Sequence, residues 1–425
     1  MPKPETRNLT PNTSSTSTKT LVVIGAGAAG FFCAVNAARL NRNLQVILLE
    51  KTSKLLSKVK VSGGGRCNVT HACFSIDEMI RNYPRGARFL RKCFYKFFTS
   101  DTIKWFADRG VNLKTEPDGR MFPVTDSSET IIRCLLSEAT QLDVAIRMNT
   151  DVRTLELGDG RFRIGLANAD SIDADFVCVA SGGFRNTTMF DWMISKGHSI
   201  VDPLPSLFTF NVYEHRLAAL MGVSIDRAMV KIAGLSFVSE GPLLITHWGF
   251  SGPAVLRLSA FAARDLAACN YDFTIRINWL PDLNDSSFRQ AIAATKSEFA
   301  STKIINKHPF NLPNRLWLHF LTTCGITVEQ RWADLKHTQL NQLATSLLAD
   351  EYRIKGKTTF KEEFVTAGGI SLTGIDPLTM QSKTVPGLYF AGEVMDVDGV
   401  TGGFNFQHAW TSGFVAAQSI ADATK

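Results

Sequence analysis

Four short stretches of this chain combine residue types at spacings that could do chemistry. The first is Gly25-Ala26-Gly27-Ala28-Ala29-Gly30, with Glu50 twenty residues past Gly30. In a G-x-G-x-x-G turn the first glycine makes the bend and the second lets backbone approach a pyrophosphate. The third allows a helix to pack closely on a sheet. An acid ending the next strand then holds a ribose hydroxyl. The second stretch is SGGGRCN, Ser62 to Asn68, whose glycine amides can form a nest for a second phosphate. The third is Ser181-Gly182-Gly183, closing an apolar run. The fourth is Gly392-Glu393, followed by TGGFNFQHAW at the start of a helical pattern.

The elements that must position these residues follow from periodicity. TLVVIGAGAAGFFCAVNAARL reads as strand, tight turn and helix, and LQVILLE as a second buried strand, which makes a β-α-β unit. Leu21–Ala38 is uncharged for 18 residues, but its glycine spacing argues for a buried strand–turn–helix and against a membrane span. Helices are expected near Phe89–Arg109 and Thr130–Thr140, and strands at VAIRMNT, DVRTLEL, RFRIGLA and DADFVCVA. After Phe190 the pattern changes to antiparallel strands at Leu207–Tyr213, Met229–Glu240 and Tyr271–Trp279. It is helical from Leu283 to about Asp350. GLYFA and a final helix, Phe406–Ala423, then return to the first pattern. The expected fold class is α/β: a Rossmann-like domain at 20–192 and 361–425, split by an insertion at 193–360.

Composition narrows the function classes. The first 19 residues are rich in Ser, Thr, Pro and Asn without an apolar run, and read as a disordered tail. The eight cysteines form no C-x-x-C pair, which fits a reducing, cytoplasmic compartment and offers no metal site and no redox disulfide. The net charge of +7 is local: residues 51–97 carry eleven Lys/Arg against two acids. That run is either a solvated face with a few phosphate contacts or the footprint of a polyanion.

The order of the four stretches favours FAD. An acid at Glu393 can hold a ribityl hydroxyl, and the N-terminus of the last helix can stabilise negative charge on a reduced isoalloxazine. The chain also resembles the BaiN/RdsA family of NAD(P)/FAD-dependent oxidoreductases. The resemblance rests on KVSGGGRCNVT (Lys60–Thr70), LLITHWGFSGPAV (Leu243–Val255) and GEVMDVDGVTGGFNFQHAW (Gly392–Trp410), and covers most of Thr20–Ala421. Phe404 stands where Tyr is usual in that family and Val400 where Trp is common, departures expected to alter pocket shape. The resemblance implies an insertion that is β-barrel-like at 193–280 and 346–360 and helical at 281–345. It also implies tightly bound FAD contacted by Gly25, Gly27, Gly30, Glu50, Gly64, Gly65, Arg66, Cys67, Asn68, Gly392, Glu393, Asn405 and Phe406. Ala28, Ala29, Lys51, Gly403 and the Ser181–Gly183 turn are expected beside them, with Val152 offering backbone to adenine.

No second G-x-G-x-x-G falls in residues 100–360, so NAD(P)H is expected only as a transient reductant. Family members reduce conjugated steroid ketones or a uracil C5=C6 bond in large-subunit ribosomal RNA, and some are labelled amine oxidases. The two reductions share a logic: hydride to the β-carbon of a conjugated carbonyl and a proton to the α-carbon. Cys67, beside Arg66, is a candidate acid if that charge lowers its pKa; it could equally pack beneath the flavin. His247 is the other candidate, or else a buried histidine bonded to backbone, and His408 is expected to orient the last helix. The basic run favours an rRNA partner through phosphate contacts. Phe74, Tyr83, Phe89, Phe94 and Tyr95 are available either to stack bases or to pack inside.

Overall fold

The computed structural model describes residues 18–184, 187–358 and 365–424. Residues 1–17 of the expected tail, and the expected boundary at 360–361, lie outside them. TLVVI (Thr20–Ile24, β1) and QVILL (Gln45–Leu49, β2) are apolar at nearly every position, as strands covered on both faces require, and are almost wholly buried. With Ala145–Arg147 (β3), Phe176–Val179 (β4) and Leu388–Phe390 (β5) they form one parallel sheet in the order β5-β4-β1-β2-β3. Its carboxyl edge is held in step across strands. Gly25 N donates to Leu49 O (2.8 Å), Ala180 N to Ile24 O (2.8 Å) and Ala391 N to Val179 O (3.0 Å). Gly25, Glu50, Ser181 and Gly392 therefore emerge together, where ligands bind in open α/β sheets.

Helices Ala28–Leu40 (α1), Ser57–Gly65 (α2) and Phe404–Asp422 (α3) frame that edge. α1 and α3 pack so closely that a Cβ at Gly413 would lie 2.7 Å from Ala29 O. The last helix of the chain thus completes the domain that the first strand begins.

Between β4 and β5 the chain leaves this domain. Ile200–Ser206 pairs antiparallel with Val365–Ile370, and between them lies a closed six-stranded barrel. Its strands run between Thr209 and Thr358. Helices Asp285–Glu298, Asn314–Thr323 and His337–Leu348 share the barrel's own core, with Trp279, Phe288, Trp317 and Trp332 buried in it.

Arg85 and Asp398, both of the first domain, tie it to the insertion through Ala260 and Ser206. Arg85 Nε and Nη2 pair with the two carboxylate oxygens of Asp398, while Nη2 also donates to Ala260 O (2.8 Å). Ser206 Oγ donates to Asp398 Oδ2 (2.7 Å). Asp398 is wholly buried, and burial pushes its carboxyl above the usual range, Arg85 offsetting part of that.

Three local expectations differ from the structure. The expected Met229–Glu240 strand is two, Ser224–Ile232 and Val238–Ile245, with Gly234 at φ +79° between them. The expected Phe89–Arg109 helix is also two, Ala87–Phe94 and Thr99–Ala107, because Asp101 caps the Phe98 N–H (2.7 Å) and starts a new helix. The last helix begins at Phe404 because Gly403, at φ +94°, makes the turn into it.

Candidate functional site

A cavity of about 560 Å³ opens along the carboxyl edge of the sheet. One wall is the turn and first residues of α1, Gly25 to Ala29. The floor comes from Gly392, Glu393, Asn405, Phe406 and His408. The facing wall is Leu207, Thr209, Ser251, Leu256 and Thr358 from the insertion. A second cavity, about 370 Å³, shares Gly25, Glu50 and Ser181 with the first and continues to Lys51, Thr150 and Val152.

The glycines of the first turn have separate jobs. Gly25 sits at φ +107°, and a Cβ there would meet Ala180 O at 2.5 Å. At Gly30 a Cβ would lie 1.9 Å from Gly25 O, so that glycine serves packing and does not line the cavity. Gly27 has nothing within 4 Å of a Cβ and borders the cavity, so the space above it is the cavity itself. No side chain caps α1; its first amides are left facing the cavity with the positive end of the helix dipole.

Two carboxylates flank this cradle. Glu50 Oε2 accepts from Ala26 N (3.1 Å), and Oε1 accepts from Thr52 N (3.0 Å) and Thr52 Oγ (2.8 Å), which fixes its orientation at the strand end. Glu393 Oε1 accepts from Thr366 N (2.9 Å) and Oε2 pairs with Lys58. Asn405 clamps the loop before α3 by exchanging two hydrogen bonds with Gly399, 2.8 Å each. The Asn68 amide donates to Thr70 O and accepts from Gly403 N, 3.0 Å each, when oriented to satisfy both.

These residues fit the FAD that the sequence implies. The space above Gly27 is open cavity into which a Cβ there would project, and Ser181 Oγ, on the cavity wall, is buried with no partner. A native fold rarely leaves such an atom unsatisfied unless a ligand or water serves it. Gly25, Gly27, Ala28, Ala29, Glu50, Asn68, Ser181, Gly182, Gly392, Glu393, Gly403, Asn405 and Phe406 gather around the main cavity, and Lys51 and Val152 around its extension.

Other expected residues are not brought there. SGGGRCN is not a single loop: α2 runs into it, Ser62 is extended, and Gly63, Gly64 and Gly65 follow at φ +58°, +69° and +85°. This left-handed run aims Ser62 and Gly63 at the cavity and carries Gly64, Gly65, Arg66 and Cys67 away from its lining. Arg66 instead pairs with Glu116 and Asp126 and lies 4.0 Å over the Phe122 ring. The expectation that Arg66 lowers the Cys67 pKa is overturned: Cys67 is wholly buried, and burial pushes its thiol up to about 12. Gly183 lies behind the lining, where a Cβ would meet Thr366 Oγ at 2.2 Å and Glu393 Oε1 at 2.8 Å. His247 is neither buried nor on the cavity. It is exposed on a barrel turn against Trp248, ring centroids 4.1 Å apart. Of the two family departures, Val400 borders the cavity, whereas Phe404 packs outside it on His71 (4.6 Å).

Sequence reasoning missed Lys54, Lys58 and Arg120 on the cavity wall, and His408, which it placed in helix orientation alone. Lys54 and Lys58 carried a signal, a cationic run after an acidic strand end; Arg120 lies outside that run. His408 carried none in one dimension. The basic run itself is less uniform than its count. Five of its eleven cations are paired with acids: Lys58 with Glu393, Lys60 with Glu129, Arg66 with Glu116, Arg85 with Asp398 and Arg91 with Asp77. Lys51, Lys54, Arg81, Arg88, Lys92 and Lys96 are exposed with no ion pair among the described residues. Tyr83, Phe89 and Phe94 are buried; Phe74 and Tyr95 are exposed.

Comparison with known proteins covers nearly the whole chain. The profile described as HI0933-like protein Rossmann domain matches residues 19–419. A ribosomal RNA dihydrouridine synthase of Haemophilus influenzae is 30% identical over 415 residues, 94% of this chain and 98% of that protein. A 3-dehydro-bile acid delta(4,6)-reductase of Clostridium scindens is 28% identical over 410 residues, 94% and 98% of the two chains. Among solved structures, a 3-ketosteroid-delta4-(5alpha)-dehydrogenase from Rhodococcus jostii superposes with a TM-score of 0.51 at 14% identity. That likeness covers 97% of this chain and 100% of that one, and speaks to fold.

Proposed function

This chain belongs to the HI0933-like Rossmann family, and from that premise we propose that it is an FAD-dependent oxidoreductase that reduces a conjugated C=C bond. The substrate proposed is a uridine of large-subunit ribosomal RNA, converted to dihydrouridine, with NAD(P)H as a transient reductant in the cytoplasm. One observation carries the reading: the cavity continues from the dinucleotide-type cradle to an apolar wall made by Leu207 and Leu256 of the insertion with Val397 and Val400 from the loop before α3. A cofactor on the first part would leave these apolar side chains facing a conjugated substrate on the second.

When bound, FAD supplies hydride transfer through N5. The chain's own residues do the rest. α1 and Gly27 would receive the diphosphate and Glu50 and Glu393 would hold the two sugar-type chains, while Asn405 fixes the loop that closes the floor. Neither Cys67 nor His247 borders the cavity, so neither is assigned the proton for the α-carbon. Lys54 and Lys58 are exposed while bordering the cavity, which suits a substrate whose base enters as its phosphates stay outside.

The same apolar wall would admit a 3-oxo steroid, and the bile-acid reductase among the relatives supports that second reading. Deleting the gene and mapping dihydrouridine in the host's large-subunit rRNA separates them. Loss of one modified position, restored by purified protein with NAD(P)H, is the expected result. Unchanged rRNA, with turnover of a 3-oxo-Δ4 steroid, would replace the RNA reading by the steroid one.

A further inference from the structure

His408 lies on the second turn of α3 and is 2% exposed, and it borders the cavity. Neither of its ring nitrogens has a hydrogen-bond partner. The other buried polar side chains around it on the helix are all satisfied. Gln407 accepts from Thr70 Oγ (2.6 Å) and Thr102 Oγ (3.0 Å) and donates to Thr411 (3.1 Å). Trp410 donates to Val69 O (2.9 Å), Thr411 to Phe97 O (3.0 Å) and Ser412 to His408 O (2.7 Å). Histidines elsewhere in the described residues behave differently: His198 and His215 each leave one ring nitrogen bare but bond through the other, to Ser382 (3.0 Å) and Thr246 O (2.8 Å). His408 alone of the buried orphans is bare at both nitrogens.

A neutral imidazole offers one donor and one acceptor, and leaving both unmade in a protein interior costs the full desolvation of each. Burial does keep the ring neutral, holding its basicity down to about 4, with a contact to the Gly392 backbone that falls short of a formed hydrogen bond and the Glu393 charge offsetting part of that. The position is specific. Gly392 donates to Ser412 Oγ (2.9 Å) one turn along α3, and a Cβ on Gly392 would touch the Ala29 side chain at 2.7 Å. The ring is therefore next to the place where the start of α1, the Gly392-Glu393 turn and α3 converge.

We propose that His408 is a cofactor-contact residue, its neutral imidazole donating to an oxygen of the ribityl–diphosphate part of FAD. This rests on the FAD reading above and adds a contact that neither the glycine pattern nor the acids predict. A ribityl hydroxyl or a diphosphate oxygen presents the same acceptor chemistry; a purely apolar stretch of ligand would not.

The test is FAD affinity of the stripped protein, measured by quenching of flavin fluorescence, for the natural chain, His408→Phe and His408→Gln. Binding of FAD to the natural chain tests the underlying reading by itself; the ratio between variants tests His408. Phe keeps the ring volume and removes both nitrogens, so its Kd is expected to rise about 5- to 30-fold, the scale of one buried hydrogen bond. Gln restores a donor and an acceptor and is expected to recover part of that loss. The melting temperature of stripped His408→Phe should equal or exceed that of the natural protein, because an unmet polar group has gone. An unchanged Kd for His408→Phe would overturn the proposal. If that variant does not fold, the ¹⁵N shifts of the natural protein's histidines decide: the His408 signal must move when FAD is added, and a static signal refutes the contact.

Discussion

The Arg85–Asp398 pair ties the first domain to the insertion, through Ala260 and Ser206, with a buried charge on each side. Asp398 has no exposed side-chain surface and Arg85 only 12%, so solvent screening takes little from the interaction. Replacing Asp398 by Asn keeps the shape and leaves a buried guanidinium with no counter-charge. Breaking one side of such a pair costs about 3–5 kcal/mol. Melting temperature moves about 2 °C per kcal/mol at the low end for large domains, so Asp398→Asn should melt on the order of 6–10 °C below the natural protein. Arg85→Met should fall by a similar amount, since Asp398 then loses the charge that offsets its burial. In the double variant Arg85→Met/Asp398→Leu both desolvation penalties disappear together, and more than half of the loss should return. The assay is thermal unfolding followed by intrinsic fluorescence, with FAD absent and present, on all four proteins. Two results would refute the reasoning: single-variant losses that simply add in the double, or an Asn variant melting within about 2 °C of the natural chain.

Other outcomes follow from the same structure. Gly27→Ala should leave the melting temperature of the stripped protein unchanged and weaken FAD binding at least about tenfold, whereas Gly30→Ala, forced against Gly25 O, should destabilise the fold by about 1–3 kcal/mol; calorimetry and flavin titration read both, and the reverse pattern would undo the division of roles. Under native conditions at pH 8, maleimide should modify exposed Cys269 and spare Cys67, whose buried thiol stays protonated; mass mapping that finds Cys67 labelled first would show an accessible thiolate there. His408 titrates near 4 in the fold against 6.5 in an unfolded chain, so its lowered pKa contributes stability that is whole above pH 6.5 and lost as pH falls towards 4. The loss reaches about 3 kcal/mol, so His408→Phe should lose less stability than the natural protein between pH 7 and pH 4, and parallel stability curves would contradict it.

Much of this was legible in one dimension because it depends on spacing. A G-x-G-x-x-G turn between an apolar strand and a helix, with an acid at the next strand end, leaves the chain few ways to fold locally. Gly25 accordingly makes the turn, Gly30 lets α1 pack close, and Glu50 ends the second strand beside the first turn. The return of the first domain at GLYFA and the last helix was also readable, since its buried pattern matches β1 and α1 and not the alternating strands between them. What spacing could not carry was the environment of each side chain. Arg66 and Cys67 are adjacent in sequence, yet a left-handed glycine run sends one to Glu116 and the other into the core, so the neighbour that was to activate the thiol never faces it. His247 and His408 were weighed by their motifs, and the fold reversed them, exposing the first on a turn and burying the second against the cavity. Local conformation follows from short-range sterics and hydrophobic period, which a sequence contains. Burial, ion pairing and the direction of a side chain depend on residues hundreds of positions away, and only the packed chain decides them.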